Sequence, residues 1–185
     1  MKKELRFLLI LSLLIAVSAA SCRFDYDESM VDEELSEEIP ESILRNFSQV
    51  MVKDSSPVFY IEAEESLTYG KKKETIFRNV HFQEYDKKGI IITDGTADNA
   101  KMFNETESVE LWGNLLFYSK REEASLEGGY LFWNNEDSTL SGKTDDRISI
   151  AEDDGSQISG KGFFADSKTR LIRFESQVSG SWADE

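Results

Sequence analysis

The feature that most constrains this chain is a strand unit recurring about every 33 residues, because a fixed step of that size marks units that stack on one another. Ala63, Ala97, Tyr130 and Phe163 stand at the unit starts, 34, 33 and 33 positions apart. Each unit is expected to open with a short strand and close with a longer alternating one, over Thr75 to Tyr85, Val109 to Tyr118, Ile148 to Ala151 and Leu171 to Trp182. Such units bury their apolar sides only against neighbours, so the pattern predicts a long sheet surface rather than a pocketed enzyme core.

Alternation within the strands assigns faces. Val109, Leu111, Gly113, Leu115 and Phe117 fall on one side, with Glu110 and Asn114 opposite. Ala124, Leu126, Gly128, Tyr130 and Phe132 form a second such face, and Ile172, Phe174, Ser176, Val178, Gly180 and Trp182 a third. Period two over so many segments predicts an all-β fold of antiparallel sheets with one buried face. Upstream, Ile43 to Val52 and Val58 to Ala63 read as strands around a turn at Asp54-Ser55-Ser56-Pro57. Asp86-Lys87-Lys88-Gly89, Asn134-Asn135-Glu136-Asp137 and Asp153-Asp154-Gly155 are polar breaks between later strands. Gly113, Gly128, Gly160, Gly162 and Gly180 lie on or beside the dry face. They either leave room there for a ligand or permit twist and bulges over a filled core, and alternation leaves both open.

The N-terminus has the parts of a secretory signal: basic Lys2 and Lys3, an apolar run from Phe7 to Val17, and small residues Ser18 to Ser21. That run is shorter than the roughly 20 residues a spanning helix needs. Cys22, the single cysteine, follows Ala19-Ala20-Ser21 in the manner of a bacterial lipobox. We therefore expect a lipoprotein signal peptide over residues 1–21, cleavage before Cys22 and acylation of that residue; the alternative is an ordinary signal with a stray thiol. Acyl chains contribute about 0.8 kcal/mol per buried methylene, enough when two or three are present to hold a protein on a membrane. Residues 22–39 are dense in carboxylates, among them Asp25, Asp27, Asp32, Glu33 and Glu34, and read as an extended acidic tether. Pro40 marks entry to a single folded domain, residues 40–183.

With a net charge of −15, the chain repels phosphate backbones, so nucleic acid is excluded as a partner on charge. Any acidic amphiphile would have to be held by apolar surface.

Pro40, Ile43, Phe47 and Ala63, then Val80-His81-Phe82 ahead of Tyr85-Asp86-Lys87-Lys88-Gly89, and Ala97 with Ala100, form a pattern that resembles the LptC family of lipopolysaccharide export. Val109-Glu110-Leu111-Trp112-Gly113-Asn114-Leu115 is similar to that family's repeated strand, and Ile158-Ser159-Gly160-Lys161-Gly162-Phe163 with Asp166 to a later copy. The resemblance covers roughly Ile39 to Trp182 and extends to LptA/OstA-type bridge proteins. It departs in one respect: most members keep an N-terminal transmembrane helix, where this chain offers Cys22.

The resemblance implies an open-ended antiparallel β-jellyroll whose inner face is a groove for the acyl chains of lipopolysaccharide or a similar glycolipid. Candidate groove residues are Val80, Phe82, Ile92, Val109, Leu111 and Leu115, continuing through Phe117, Leu126, Phe132, Ile172, Phe174 and Val178. It further implies a periplasmic protein, lipid-anchored here with the inner membrane favoured. Its sheet edges, Ile43 to Val52 and Arg170 to Trp182, would meet the periplasmic domain of an ABC transporter and an LptA-like bridge protein. A chain of about 12 methylenes gains roughly 10 kcal/mol on leaving water, but a bilayer already supplies that gain. A groove is therefore a dry path without direction, and a nucleotide-driven partner must provide the direction. Gly142-Lys143-Thr144 is no phosphate loop, because Asp137 stands where the first glycine is required.

An enzyme fits poorly. His81, the single histidine, lies between Val80 and Phe82 on the expected solvent face, and Asp145-Asp146 and Asp153-Asp154 lack the ligand spacing of a calcium loop. No cofactor or metal is expected. A surface lipoprotein that binds host ligands or carbohydrate through a repetitive β domain is the alternative reading.

Overall fold

In the computed structural model, residues 37–183 are described. They build twelve strands: β1 Ser42–Lys53, β2 Ser56–Tyr69, β3 Glu74–Tyr85, β4 Ile91–Phe103, β5 Ser108–Ser119, β6 Ala124–Asn134, β7 Thr139–Ser141, β8 Arg147–Glu152, β9 Gln157–Lys161, β10 Phe164–Asp166, β11 Leu171–Arg173 and β12 Ser176–Ser181. The first six follow one another as an antiparallel meander. At β6 the sheet forks: Ala124 to Glu127 pair with β8, and Phe132 to Asn134 with β7. One arm runs β7–β10–β11 and the other β8–β9–β12. The expected open antiparallel all-β sheet is thus observed; the expected signal peptide, Cys22 and all of the tether but residues 37–39 lie outside the described residues.

Turn chemistry sets the meander. Asp54 and Ser55 both take left-handed φ, 50° and 64°, the geometry of a two-residue hairpin whose twist matches the strands it joins. Left-handed residues recur at the later turns, Gly89, Glu123 and Gly155 at one end and Lys73, Glu107, Ser138 and Arg170 at the other, every 31 to 34 residues. Successive turns also bond to each other: Asn104 N–H donates to Lys73 O at 2.8 Å, Asp153 N–H to Glu123 O at 2.8 Å, and Ser167 N–H to Ser138 O at 3.1 Å. The repeat is therefore a pair of long strands with two turns, not a short strand followed by a long one.

A crease crosses β1 to β6 at mid-height and recurs between β9 and β12, while β8 and β9 pair without a break. Pairing skips Asn46 and Glu64 between β1 and β2, Glu64 and Asn79 between β2 and β3, and Asn79 and Asp98 between β3 and β4. The gap continues at Gly113–Asn114 opposite Gly129, and at Gln177–Val178 opposite Gly160. Asn46, Asn79, Gly113, Asn114 and Gln177 all have φ between 45° and 81° there. Asparagine tolerates that region better than most residues, its short amide bonding locally. Each break reverses the alternation, so Phe77 and Val80, or Ala97 and Ala100, are all buried although three positions apart. Ala63, Ala97 and Tyr130 each flank a crease position, which is why their spacing repeats; Phe163 instead follows the left-handed Gly162.

The core lies along this crease. Val80, Leu115, Leu131, Ile148 and Phe163 are at most 3% exposed; toward the strand ends most inward apolar residues are half-buried, though Leu67, Thr75 and Ser108 are buried there. Burying Leu131 and Ile148 fully contributes about 1.5–3 kcal/mol each.

Two sequence expectations are corrected. Tyr130 and Phe132 do not share a face with Leu126, because the crease at Gly129 turns Leu131 inward and both aromatics outward. Leu171 to Trp182 is not one strand: Phe174 packs into the space over Gly160 and Glu175 into that over Gly162, so the chain crosses from one arm to the other between β11 and β12.

Candidate functional site

Register places the inner apolar residues in rows. Ile61, Phe82, Gly95, Phe117, Leu126, Ile150, Ile158 and Gly180 align from β2 to β12 on one side of the crease, in the first half-sheet. Thr75, Met102, Val109, Trp133, Leu140, Ala165 and Ile172 align from β3 to β11 in the second. Between them run Phe47, Ala63, Val80 and Ala97 on the first side and Phe77, Ala100, Leu111 and Leu131 on the other. Beyond the first row the margin turns polar at Glu84, Thr93 and Ser119, with Thr93 Oγ1 donating to Glu84 at 3.0 Å.

Most proposed groove residues meet on this face. Val80, Leu111 and Leu115 are buried beside the crease. Phe82, Phe117 and Leu126 are half-buried in the first row, Val109 in the second, and Ile92 is half-buried near the margin of β4. Phe82 packs 5.2 Å from Phe117 and 5.7 Å from Phe59 between ring centroids. Phe174 packs tilted against Phe163, 5.6 Å between ring centroids. Ile172 and Val178 are 56% and 55% exposed at the ends of the two arms. Ile92 stands at a bulge outside the ladder, and Phe132 is on the opposite face, edge-on to Phe103 at 6.3 Å.

The glycines do not leave this face unfilled. A Cβ on Gly95 would fall 2.4 Å from Phe117 and 2.6 Å from Phe82, one on Gly128 2.2 Å from Ile148, and one on Gly160 2.8 Å from Phe174. Their missing side chains are replaced by neighbours, which closes the crease and leaves the half-exposed rows as the accessible apolar surface. Sequence reading missed Ile61, Met102, Trp133, Ile150 and Ile158 in these rows; Ile61 was signalled by alternation before Ala63 and Ile150 by alternation with Ile148, while Met102 and Trp133 were concealed by the reversals.

The outer face is charged. His81 faces two carboxylates, Asp94 at 3.0 Å from Nε2 and Glu62 at 3.3 Å from Nδ1. Burial opposes its charge, but hydrogen bonding to and attraction by Asp94 and then Glu62 hold its pKa above the usual value. Burial, then a hydrogen bond to Glu110, pushes Tyr130 up to about 12. Glu110 meanwhile, despite burial, is held low by Lys101 at 2.8 Å and by Tyr130. An open depression among Ser125, Ser149, Ser159 and Ser179 is lined also by Ile150, Ile158 and Gly180 of the first row. Among the described residues there is no group of three or more His, Cys, Asp or Glu placed to hold a metal, and no helix long and apolar enough to cross a membrane. The arrangement can take up hydrocarbon between two half-exposed apolar rows while presenting charge outward.

A family model described as "Lipopolysaccharide-assembly, LptC-related" matches residues 8–183. No curated protein matches the sequence. Among solved structures, the chain is similar to LptH of Pseudomonas aeruginosa, described as the LptA homologous periplasmic component of the conserved lipopolysaccharide transport device. That likeness has a TM-score of 0.48 at 8% identity, over 80% of this chain and 97% of that one.

Proposed function

This chain belongs to the LptC-related family of lipopolysaccharide-assembly proteins, and on that premise we propose that it accepts the acyl chains of lipopolysaccharide between its two apolar rows and hands them on through its sheet edges. The observation that carries this reading is the pair of rows itself. Phe82, Phe117, Leu126 and Ile150 on one side of the crease, and Met102, Val109, Trp133 and Leu140 on the other, are only half-buried in a fold whose crease is closed. Half-exposed apolar rows with an acidic outer face suit a ligand held by hydrocarbon rather than by its phosphates.

Cys22 carries the lipid anchor in this reading, placing the domain on the periplasmic side of the inner membrane at the end of an acidic tether. β1 pairs only with β2, while β11 and β12 pair only with β10 and β9, so each border offers unpaired backbone to another strand. One border takes the transporter's periplasmic domain and the other an LptA-like bridge protein. Because transfer from bilayer to protein is nearly neutral, direction comes from the transporter.

Photo-crosslinking tests the reading. A benzophenone amino acid at Phe117 or Ile158 should capture lipopolysaccharide in cells, whereas the same probe at outward Glu127 should not. Equal capture at all three positions would sink it. At the edge, Val178→Asp should abolish capture of the bridge protein while leaving the melting temperature unchanged.

A further inference from the structure

We infer that the crease is a hinge on which the two half-sheets flex, widening and narrowing the space between the apolar rows. Apart from bulges at Met51–Val52 and Glu84–Tyr85, the ladder is continuous on both sides of the line and interrupted on it in each pairing from β1 to β6, and again between β9 and β12. Backbone hydrogen bonds are what make a sheet resist bending across its strands, so a shared line of missing pairs is its softest axis. Side chains take over there: Asn79 Nδ2 donates to Glu64, and Asn114 Nδ2 to Asp98 Oδ2 at 2.7 Å. These bridges tie neighbouring strands together at the line without tying one half-sheet to the other.

Two further observations point the same way. Beyond the fork no strand of the β7–β10–β11 arm pairs with one of the β8–β9–β12 arm. Inward residues beside the line, Val80, Leu115 and Leu131 among them, are buried, while Phe82, Phe117, Met102 and Trp133 toward the margins are half-buried, as in an opened book whose spine is packed. The halves extend about six residues from the crease, about 20 Å at 3.3 Å per residue, so flexing by about 10° moves a margin by about 3.5 Å. That is on the order of the spacing between packed atoms, so small rotations decide whether a chain fits. The use of this motion to admit hydrocarbon rests on the function proposed above; the motion itself is independent of it.

Pulsed electron spin resonance on the full chain carrying Cys22→Ser tests this without any lipid. Labels at Lys88→Cys and Glu105→Cys sit at exposed turns at opposite ends of β4, across the crease; labels at Lys88→Cys and Glu122→Cys lie within the first half-sheet. The distance distribution across the crease should be broader than the one within the half-sheet, and Asn114→Ala should broaden it further while leaving the second pair unaltered. If the two distributions are equally narrow in the parent chain, the crease is a rigid bend and the inference is wrong. Equal widths alongside successful lipid capture would refute the hinge alone, and a broad distribution without capture would refute the lipid reading alone.

Discussion

Replacing Gly128 by alanine asks whether the glycines of the inner face hold space for a ligand or for their neighbours. Gly128 has no left-handed φ, so alanine fits its backbone and would stabilise a strand by about 0.5–1 kcal/mol if nothing stood in the way. Ile148 Cδ1 stands in the way, 2.2 Å from the new methyl, and Ile148 is fully enclosed, with no direction in which to swing. Overpacking of this kind costs about 1–3 kcal/mol, and an enclosed partner argues for the upper end. The net loss is then about 2 kcal/mol, a fall of about 4–8 °C in melting temperature for a domain of this size. Removing Cδ1 by Ile148→Val alone costs about 0.5–1.5 kcal/mol, yet in the double variant the alanine methyl occupies the vacated space, so the two losses should largely cancel rather than add. Urea unfolding midpoints, compared at constant m, measure all three variants. A neutral or stabilising Gly128→Ala, or strictly additive losses, would show that the space is open and that the packing account is mistaken.

His81 owes its raised pKa to Asp94 above all, so Asp94→Asn should lower it, read from the imidazole proton shift by NMR; an unchanged titration refutes the pairing. Because the folded value is raised, the contribution of His81 to stability is fully present below about pH 6.5 and fades as pH rises through the folded value, a dependence that His81→Ala should erase. Ultraviolet titration should find Tyr130 the last tyrosine to ionise, near 12, and Glu110→Gln should bring it down; a Tyr130 that ionises with the rest removes the burial and Glu110 account. Intact-mass measurement of the exported protein should give a diacyl or triacyl Cys22, and an unmodified thiol there eliminates the anchor.

The repeat was legible because it is written in residues the backbone cannot easily exchange. Ala63 and Ala97 must be small at the bend, and Gly89 and Gly155 must turn left at the strand ends, so their spacing survives in the letters of the chain. The reversals at the crease were not legible. Asn79 and Asn114 look like ordinary polar members of alternating strands, and nothing in Gly128-Gly129-Tyr130 announces that Leu131, rather than Tyr130 or Phe132, goes inward. Strand pairing, which no single segment encodes, decides it. For the same reason alternation left the role of the glycines open: Gly128 and Ile148 are distant in sequence and meet only when β6 pairs with β8.

β1 gives the domain one border of twelve residues, while the other border is divided between β11, with three, and β12, with six. A tile with one whole side and one notched side cannot be laid back to front in a row. A strand that pairs along the whole of β1 would find three and six residues at the opposite border, so the two borders present different lengths of unpaired backbone to whatever meets them.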